Sequence, residues 1–491
     1  MSATLLSSAR RTLRTDLPSS LVVFLVAVPL CVGIAVASGV PAELGLVTGI
    51  VGGLLTGLLP GSSLQVSGPA AGLTVLVYEA VGAYGLATLG LLVLAAGLLQ
   101  VALGALRLGR WFRAISVAVI EGMLAGIGLV IIAGQLYTMA DLEAPSSGLA
   151  KIAGLPGLAA DILGSAPALT AFAVGTGTVA LMLLWQRLPS RVRKVPGALA
   201  AVALATVVTT TFGLGIATVE VSGLLDAVQP PGLTGLGSVV DAGMIGTVLA
   251  FTLIASAESL FSAAAVDRLH DGPRTDFDKE LMAQGAGNTV CGLLGALPMT
   301  AVIVRSATNV HAGARTRASR VLHGVWLLLF AVLFPAALSV IPVAALAGVL
   351  VHAGCKLLPV RRLVPLWREH RGEAVVLTAT ALAIVAVGMF EGVLVGLALA
   401  VLKSAWETSH THLEVDDAAP GPVRVALTGN ATFLRLPRLL AALEALPSDR
   451  PLELDLSGVR HLDQASRAAL TGWAERHHEE GVPPVRLTPT P

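Results

Sequence analysis

Apolar residues occupy most of this chain in blocks of about 20, separated by short clusters of charge, glycine and proline. A helix of that length advances about 30 Å, the thickness of bilayer hydrocarbon. The blocks fall at 19–38, 43–59, 67–84, 86–106, 114–136, 167–185, 196–213, 243–266, 281–297, 300–312, 318–335, 337–354, 373–389 and 391–407. They predict an all-α polytopic membrane protein with about fourteen transmembrane segments. Beyond residue 410 the pattern becomes that of a small cytoplasmic α/β domain. Val423 to Leu427 alternates as a strand and Leu436 to Ala445 has the period of an amphipathic helix. Pro451 to Val459 reads as a second strand ending in a turn, and Gln464 to His478 as a second helix, its His477–His478 pair a solvated end.

Composition supports the membrane reading: 55% of residues are hydrophobic, 13% are charged and the mean hydropathy is +0.81. A net charge of +1 gives no footing for nucleic-acid binding. Cys31, Cys291 and Cys355 lie in or beside apolar blocks without metal-site spacing and read as packing residues. The sequence shows no nucleophile–base arrangement and no metal cluster, so it is not read as an enzyme.

Loop charges set the orientation. Arg107, Arg110 and Arg113 form one basic loop, and Arg187, Arg191, Arg193 and Lys194 a second. Arg315, Arg317 and Arg320, then Lys356, Arg361, Arg362 and Arg368, form two more. The connections 137–166 and 214–242, which includes Asp241, are richer in acids. The positive-inside rule places residues 1–18, every basic loop and the tail 410–491 in the cytoplasm, with 19–407 in the cell inner (plasma) membrane. Arg10, Arg11 and Arg14 before an apolar run resemble a signal peptide, yet the run is expected to remain as a first helix. Asp16 reads as a cap for that helix, Pro29 as a break within it, and Glu43 as facing the outside.

With both ends on one side, segments within 19–213 and 243–407 run in opposite directions, a seven-plus-seven inverted repeat. The third segment of each half is short and interrupted, and such pairs mark midplane binding sites. One opens Ser67-Gly68-Pro69-Ala70-Ala71; the other opens Thr300-Ala301-Val302-Ile303, with Arg305 following. Two helix starts facing each other offer free N–H groups and positive dipole ends to a small anion, and small side chains let it approach. Ser67, Gly68, Pro69, Ala70, Ala71, Thr300, Ala301, Val302, Ile303 and Arg305 are therefore the candidate substrate-binding residues. Small residues serve helix packing equally well. Arg305 either adds positive potential at the anion or reaches toward a cytoplasmic vestibule.

Glu258 is a lone acid inside the block 243–266, and chains rarely keep one there without a task. Ionised, it would repel an anion; protonated, it would not, which is the physical basis of proton–anion symport. Ser262 follows one turn later on the same face. Glu258 and Ser262 form the candidate ion-coupling pair, and the same carboxylate with that hydroxyl is a possible sodium site. The coupling ion is H+ or Na+, with no other cofactor or metal expected.

These residues together resemble the SulP family of anion transporters, bacterial relatives of the SLC26 proteins. The resemblance rests on Pro29, Ser67-Gly68-Pro69, Gly122 to Gly128 followed by Gln135, and Ala257-Glu258-Ser259-Leu260. It extends to Glu280 through Asn288 and to Gly295 through Asn309, while Asp455 to Val459 and Asp463 resemble a STAS domain. The resemblance implies core and gate domains moving by elevator alternating access, and a homodimer. It implies substrates among bicarbonate, sulfate, chloride and dicarboxylates. Ala70, apolar where sodium-binding relatives often have a hydroxyl, leans the coupling toward protons. Ala465 stands where phosphorylated STAS relatives have serine, which argues against phosphoregulation there. The expected function is cation-coupled secondary active transport of a small inorganic anion, bicarbonate foremost. Sulfate or dicarboxylate symport and an uncoupled anion channel or exchanger are the alternatives. The expected partners are that anion, membrane lipid and a second copy of the chain, and no nucleic acid.

Overall fold

The computed structural model describes residues 2–110, 116–189, 192, 195–231, 242–416, 422–446, 451–479 and 486–488, and side chains only between 15 and 475 of these. Arg10, Arg11, Arg14, Arg113, Arg191, Arg193, Lys194, Asp241, His477 and His478 therefore lie outside the described side chains. The chain divides into two compact units, Met1–Gly396 and Leu397–Pro491.

The first unit runs α1 (Ser2–Ala37), α2 (Ala42–Leu58), β1 (Ser67–Pro69), a 3-10 turn (Ala71–Leu73), α3 (Thr74–Tyr84), α4 (Leu86–Ala105) and α5 (Val117–Met139). It continues with α6 (Gly148–Ala153), α7 (Leu155–Gly164), α8 (Ala166–Trp185), α9 (Gly197–Phe212), α10 (Leu224–Ala227), α11 (Ala242–Val266), α12 (Phe277–Leu293) and β2 (Met299–Ala301). α13 (Ile303–His311), α14 (Ala318–Leu333), α15 (Ala336–Ser339), α16 (Val343–Leu357), α17 (Val360–Glu369), α18 (Arg371–Ala386) and α19 (Met389–Thr408) complete it, the unit boundary falling inside α19.

Most helix pairing sorts into two sets, which meet where α1 packs against α16. In one, α4 packs along α12, α2 along α14, and α11 against α4 and α12, with α1 against α2 and α14. In the other, α5 packs against α16 and α18, and α8 against α16 and α9. In a bilayer, where lipid is as apolar as leucine, close backbone approach supplies much of the association. Gly97 of α4 shows it: a Cβ there would stand 2.4 Å from the Thr289 backbone nitrogen of α12.

Seven helices among the described residues are long and apolar enough to cross a membrane alone, and five further apolar helices are shorter. α12 is shorter than those seven and carries Glu280, Gln284 and Asn288 on one face at four-residue spacing. The third segments differ from the sequence expectation. Neither 67–84 nor 300–312 opens as helix; each opens as a three-residue strand, and the helical turns begin at Ala71 and Ile303. β1 and β2 pair antiparallel, with Ser67 opposite Ala301 and Pro69 opposite Met299. Pro69 and Pro298 exclude helix there, and the mutual pairing satisfies backbone groups that lipid would leave bare.

Other differences have equally local causes. The connection 137–166 contains α6 and α7, and a basic amphipathic helix, α17, precedes α18. α1 stays helical through Pro29 to Ala37, so the first segment is not broken there. Asp16 lies inside α1 rather than capping it; its carboxylate accepts the Arg315 N–H at 2.7 Å and the Thr316 hydroxyl, tying α1 to the turn before α14. Glu43 is buried and accepts the N–H groups of Ser222 and Gly223. Cys31 and Cys291 are buried packing residues, whereas Cys355 is exposed.

The second unit is a four-stranded sheet in the order β3 (Thr411–Asp416), β4 (Val423–Ala431), β5 (Leu452–Leu462), β6 (Arg486–Thr488). β3 pairs antiparallel with β4, and the other pairs are parallel. α20 (Leu436–Glu444) and α21 (Gln464–Glu479) make the two crossovers. Val423, Val425 and Leu427 alternate inward and meet Leu452, Leu454, Leu439, Leu443 and Trp473 in one core. β5 runs past the expected turn to Leu462. Asp463 caps α21, accepting N–H bonds from Ser466 at 2.7 Å and Phe433 at 2.6 Å.

Candidate binding site at the paired broken segments

Non-helical backbone at membrane depth needs partners, and the polar residues around β1 and β2 supply them. The Asn288 amide donates to the Met299 carbonyl at 3.1 Å and its oxygen accepts the Met299 N–H at 2.7 Å. Gln100 holds Asn288 in turn, accepting its amide at 2.7 Å and donating to the Ser256 hydroxyl. Gln284 donates to the Ser67 hydroxyl and to Glu280, whose other oxygen accepts the Ser62 N–H. Gln65 donates to the Ser259 carbonyl, and the Ser259 hydroxyl accepts the Ala301 N–H at 3.2 Å. The strand pair is thus held from α4, α11 and α12 together.

Beside this frame lies a cavity of about 540 Å³. α1 contributes a continuous stripe at four-residue spacing, Val22, Val26, Leu30 and Ile34. Ala71 and Gly72 line it from the turn before α3, Val302 to Arg305 from the start of α13, and Glu258, Phe261 and Ser262 from α11. Met123 and Leu124 of α5 and Val349 of α16 close the opposite wall. Gln186, Pro196, Lys356 and Leu357 carry the lining toward the basic loops.

Besides Lys356 toward the basic loops, two charged side chains line this cavity, Glu258 and Arg305. The Glu258 carboxyl leans against Gly72, where an added Cβ would stand 2.7 Å from Oε2. Its Oε2 has no hydrogen-bond partner. Arg305 is 0% exposed; Nη2 donates weakly to the Pro69 carbonyl at 3.4 Å, and Nε and Nη1 have no hydrogen-bond partner. None of the ion pairs among the described residues includes Arg305. Its guanidinium fits only because Gly68 lacks a side chain, since a Cβ there would lie 2.2 Å from Nη1.

Of the residues singled out in the sequence, Ala71, Val302, Ile303, Arg305, Glu258 and Ser262 line this cavity. Ser67, Gly68, Pro69, Ala70, Thr300 and Ala301 are buried behind it. Ser67 is bonded to Gln284, Gly68 is packed on Arg305, and Ala301 is bonded to Ser259. Sequence reasoning gave no role to Gly72, Gln284 or Asn288. The polar stripe Glu280, Gln284, Asn288 along an otherwise apolar helix was the available signal.

Comparison with known proteins follows the same division. The sulfate permease family matches residues 13–380, and a STAS domain of the Mlab type matches 415–487. The putative sulfate transporter YvdB of Bacillus subtilis is 31% identical over 473 residues, 93% of this chain and 87% of that protein. The bicarbonate transporter BicA of a Synechocystis species is 28% identical over 311 residues, which is 60% of this chain and 52% of BicA. The chain thus spans about half the length of that relative. The transmembrane domain of a cyanobacterial BicA superposes with TM-score 0.69 at 25% identity, covering 80% of this chain and 98% of that one. Murine Slc26a9 in its inward-facing state gives 0.77 over 96% of this chain and 84% of that one, a likeness of fold at 17% identity. A buried strand pair flanked by a polar clamp, together with these matches, places the chain in the sulfate permease (SulP/SLC26) family, as a multi-pass membrane anion transporter with a C-terminal STAS domain.

Proposed function

We propose that the chain is a secondary active transporter of a small monovalent inorganic anion, bicarbonate foremost, driven by a coupled cation through Glu258. The observation that carries this reading is Arg305, a fully buried guanidinium without a carboxylate partner at the wall of the cavity. Leaving a buried charge unpaired costs several kcal/mol, and an anion arriving beside it offsets that cost. Charge counting favours a single negative charge. With Glu258 protonated, Glu258 and Arg305 together carry one positive charge, which one monoanion neutralises, Lys356 lying toward the basic loops; with Glu258 ionised these two leave nothing to neutralise. Anion and proton would therefore enter and leave together. Sodium at Glu258 and Ser262 would satisfy the same balance, but the neighbouring Ala70 brings no further side-chain oxygen.

The anion would sit between the turn at Ala71–Gly72 and the start of α13, held by backbone N–H groups and the field of Arg305. Because the lining adjoins the basic loops, the positive-inside rule makes this conformation open to the cytoplasm, with both chain ends on that side. Alternating access would come from movement between the two helix sets, in a homodimer, in the cell's inner membrane. Sulfate is the second reading, favoured by the likeness to YvdB, and it would require a second neutralising charge, for which Lys356 is the lining residue available.

Arg305→Met tests the assignment. In purified full-length protein, tryptophan fluorescence, with Trp185 standing in the cavity wall, should change saturably with bicarbonate, and the variant should lose that response. Without anion the variant should be at least as thermally stable as the parent, since an unpaired buried charge is gone. Undiminished anion binding by Arg305→Met would overturn the proposal.

A further inference from the structure

A second cavity, of about 360 Å³, occupies the other end of the same helices. Its lining takes Val130, Ile131, Gly134, Gln135 and Thr138 from α5, whereas the first cavity takes Ile120, Met123 and Leu124. The two stretches lie about 15 to 20 Å apart along α5. Leu73 and Ile127, which line neither cavity, join Ile34 and Met123 of the first and Val130 of the second in one buried apolar cluster, which forms a barrier. The second cavity borders the acid-rich connection after α5, on the side away from the basic loops.

Three polar side chains from three different elements converge on it, each more than nine-tenths buried: Thr74 of α3, Gln135 of α5 and Lys151 of α6. The Thr74 hydroxyl has no hydrogen-bond partner. The Lys151 stem lies along Gly134, and its ammonium stands 5.1 Å from the centre of the Tyr78 ring. It makes no ion pair among the described residues. The Tyr137 hydroxyl donates to the Lys151 carbonyl at 3.1 Å and so pins α6 to α5. One acid acts on the ammonium through space, exposed Glu79, on which Glu391 acts in turn; exposed Glu143 lines the same cavity. Burial pushes the Lys151 ammonium below the ordinary lysine range, with Glu79 opposing. An ammonium donor, an amide and a free hydroxyl around one small volume make a site for a negatively charged ligand.

We propose that Lys151, Gln135 and Thr74 form a second anion site, across the apolar barrier from Arg305, that takes a small inorganic anion from the opposite side of the membrane. Only the direction of arrival rests on the transport reading; occupancy does not. An anion would draw the ammonium off the Tyr78 ring and into a charge-assisted hydrogen bond. Because α3, which carries Thr74 and Tyr78, follows directly on the turn that lines the first cavity, occupancy of this site bears on the same broken segment.

Chloride serves as the probe, its binding to the purified full-length chain read by chloride-35 NMR line broadening. The Arg305→Met background removes the proposed inner site. Broadening should persist there, fall when Lys151→Met is added, and survive with Lys151→Arg. Bicarbonate should compete for it. Thr74→Val should weaken the competition in an intact fold, so a Lys151→Met protein that fails to fold does not leave the matter open. In proteoliposomes of known orientation, Lys151→Gln should raise the KM for anion from the Lys151 side about tenfold, the loss of one charge-assisted bond, and leave the KM from the other side unchanged. Broadening indifferent to Lys151→Met, or a KM that moves equally from both sides, would overturn the second site. Broadening unaffected by Arg305→Met but abolished by Lys151→Met would instead sink the inner site and keep this one.

Discussion

Glu258→Gln separates coupling from permeation more sharply than any other single change. Glutamine keeps the shape and length of the side chain that leans on Gly72. It also holds residue 258 in the neutral form permanently, as if always protonated. Because Glu258 Oε2 has no partner to lose, the fold should be spared, with a stability change of under about 1 kcal/mol. The transport consequence is larger. A pH difference of one unit stores about 1.4 kcal/mol per proton, so one-to-one coupling accumulates the anion about tenfold. In the Gln variant that ratio should fall to about one, a loss of the whole 1.4 kcal/mol, because no proton titrates. The assay is initial uptake of labelled bicarbonate into proteoliposomes, under imposed proton or sodium gradients, beside anion exchange at equal concentrations. Exchange should continue while gradient-driven accumulation disappears. Accumulation by Glu258→Gln equal to the parent's would refute the coupling role.

Two further perturbations address the frame and the tail. Asn288→Ala removes both bonds to Met299 and strands its N–H at membrane depth, and should destabilise the first unit by about 2–3 kcal/mol, read as a lower unfolding temperature in detergent. Asp463→Ala removes the cap of α21 and should cost about 1 kcal/mol, seen as faster amide exchange at Ser466 and Phe433 with transport unchanged.

The two kinds of feature differed in how far the sequence disclosed them. An acid in an apolar run and a pair of glycine- and proline-broken segments are local signals, so Glu258 and the region of the site were visible without coordinates. The pairing of Ser67 with Ala301 joins the two halves of the chain, and three-residue strands carry no periodicity of their own. Consequently the helix starts were expected at Ser67 and Thr300, whereas they begin at Ala71 and Ile303. Gly68 illustrates the same gap: its composition pointed to room for an anion, and its neighbour turns out to be the Arg305 guanidinium. Lys151 was a single base in an acid-rich connection, and only the fold brings it against Tyr78.

The most direct measurement is flux of a panel of labelled anions, bicarbonate, chloride, sulfate and a dicarboxylate, into proteoliposomes holding the unmodified chain, each with a proton gradient, a sodium gradient or none. A small monovalent anion should be concentrated against its own gradient only when one of the two cations is driven with it. Anion movement that ignores both cation gradients, or no movement of any anion, would contradict the account.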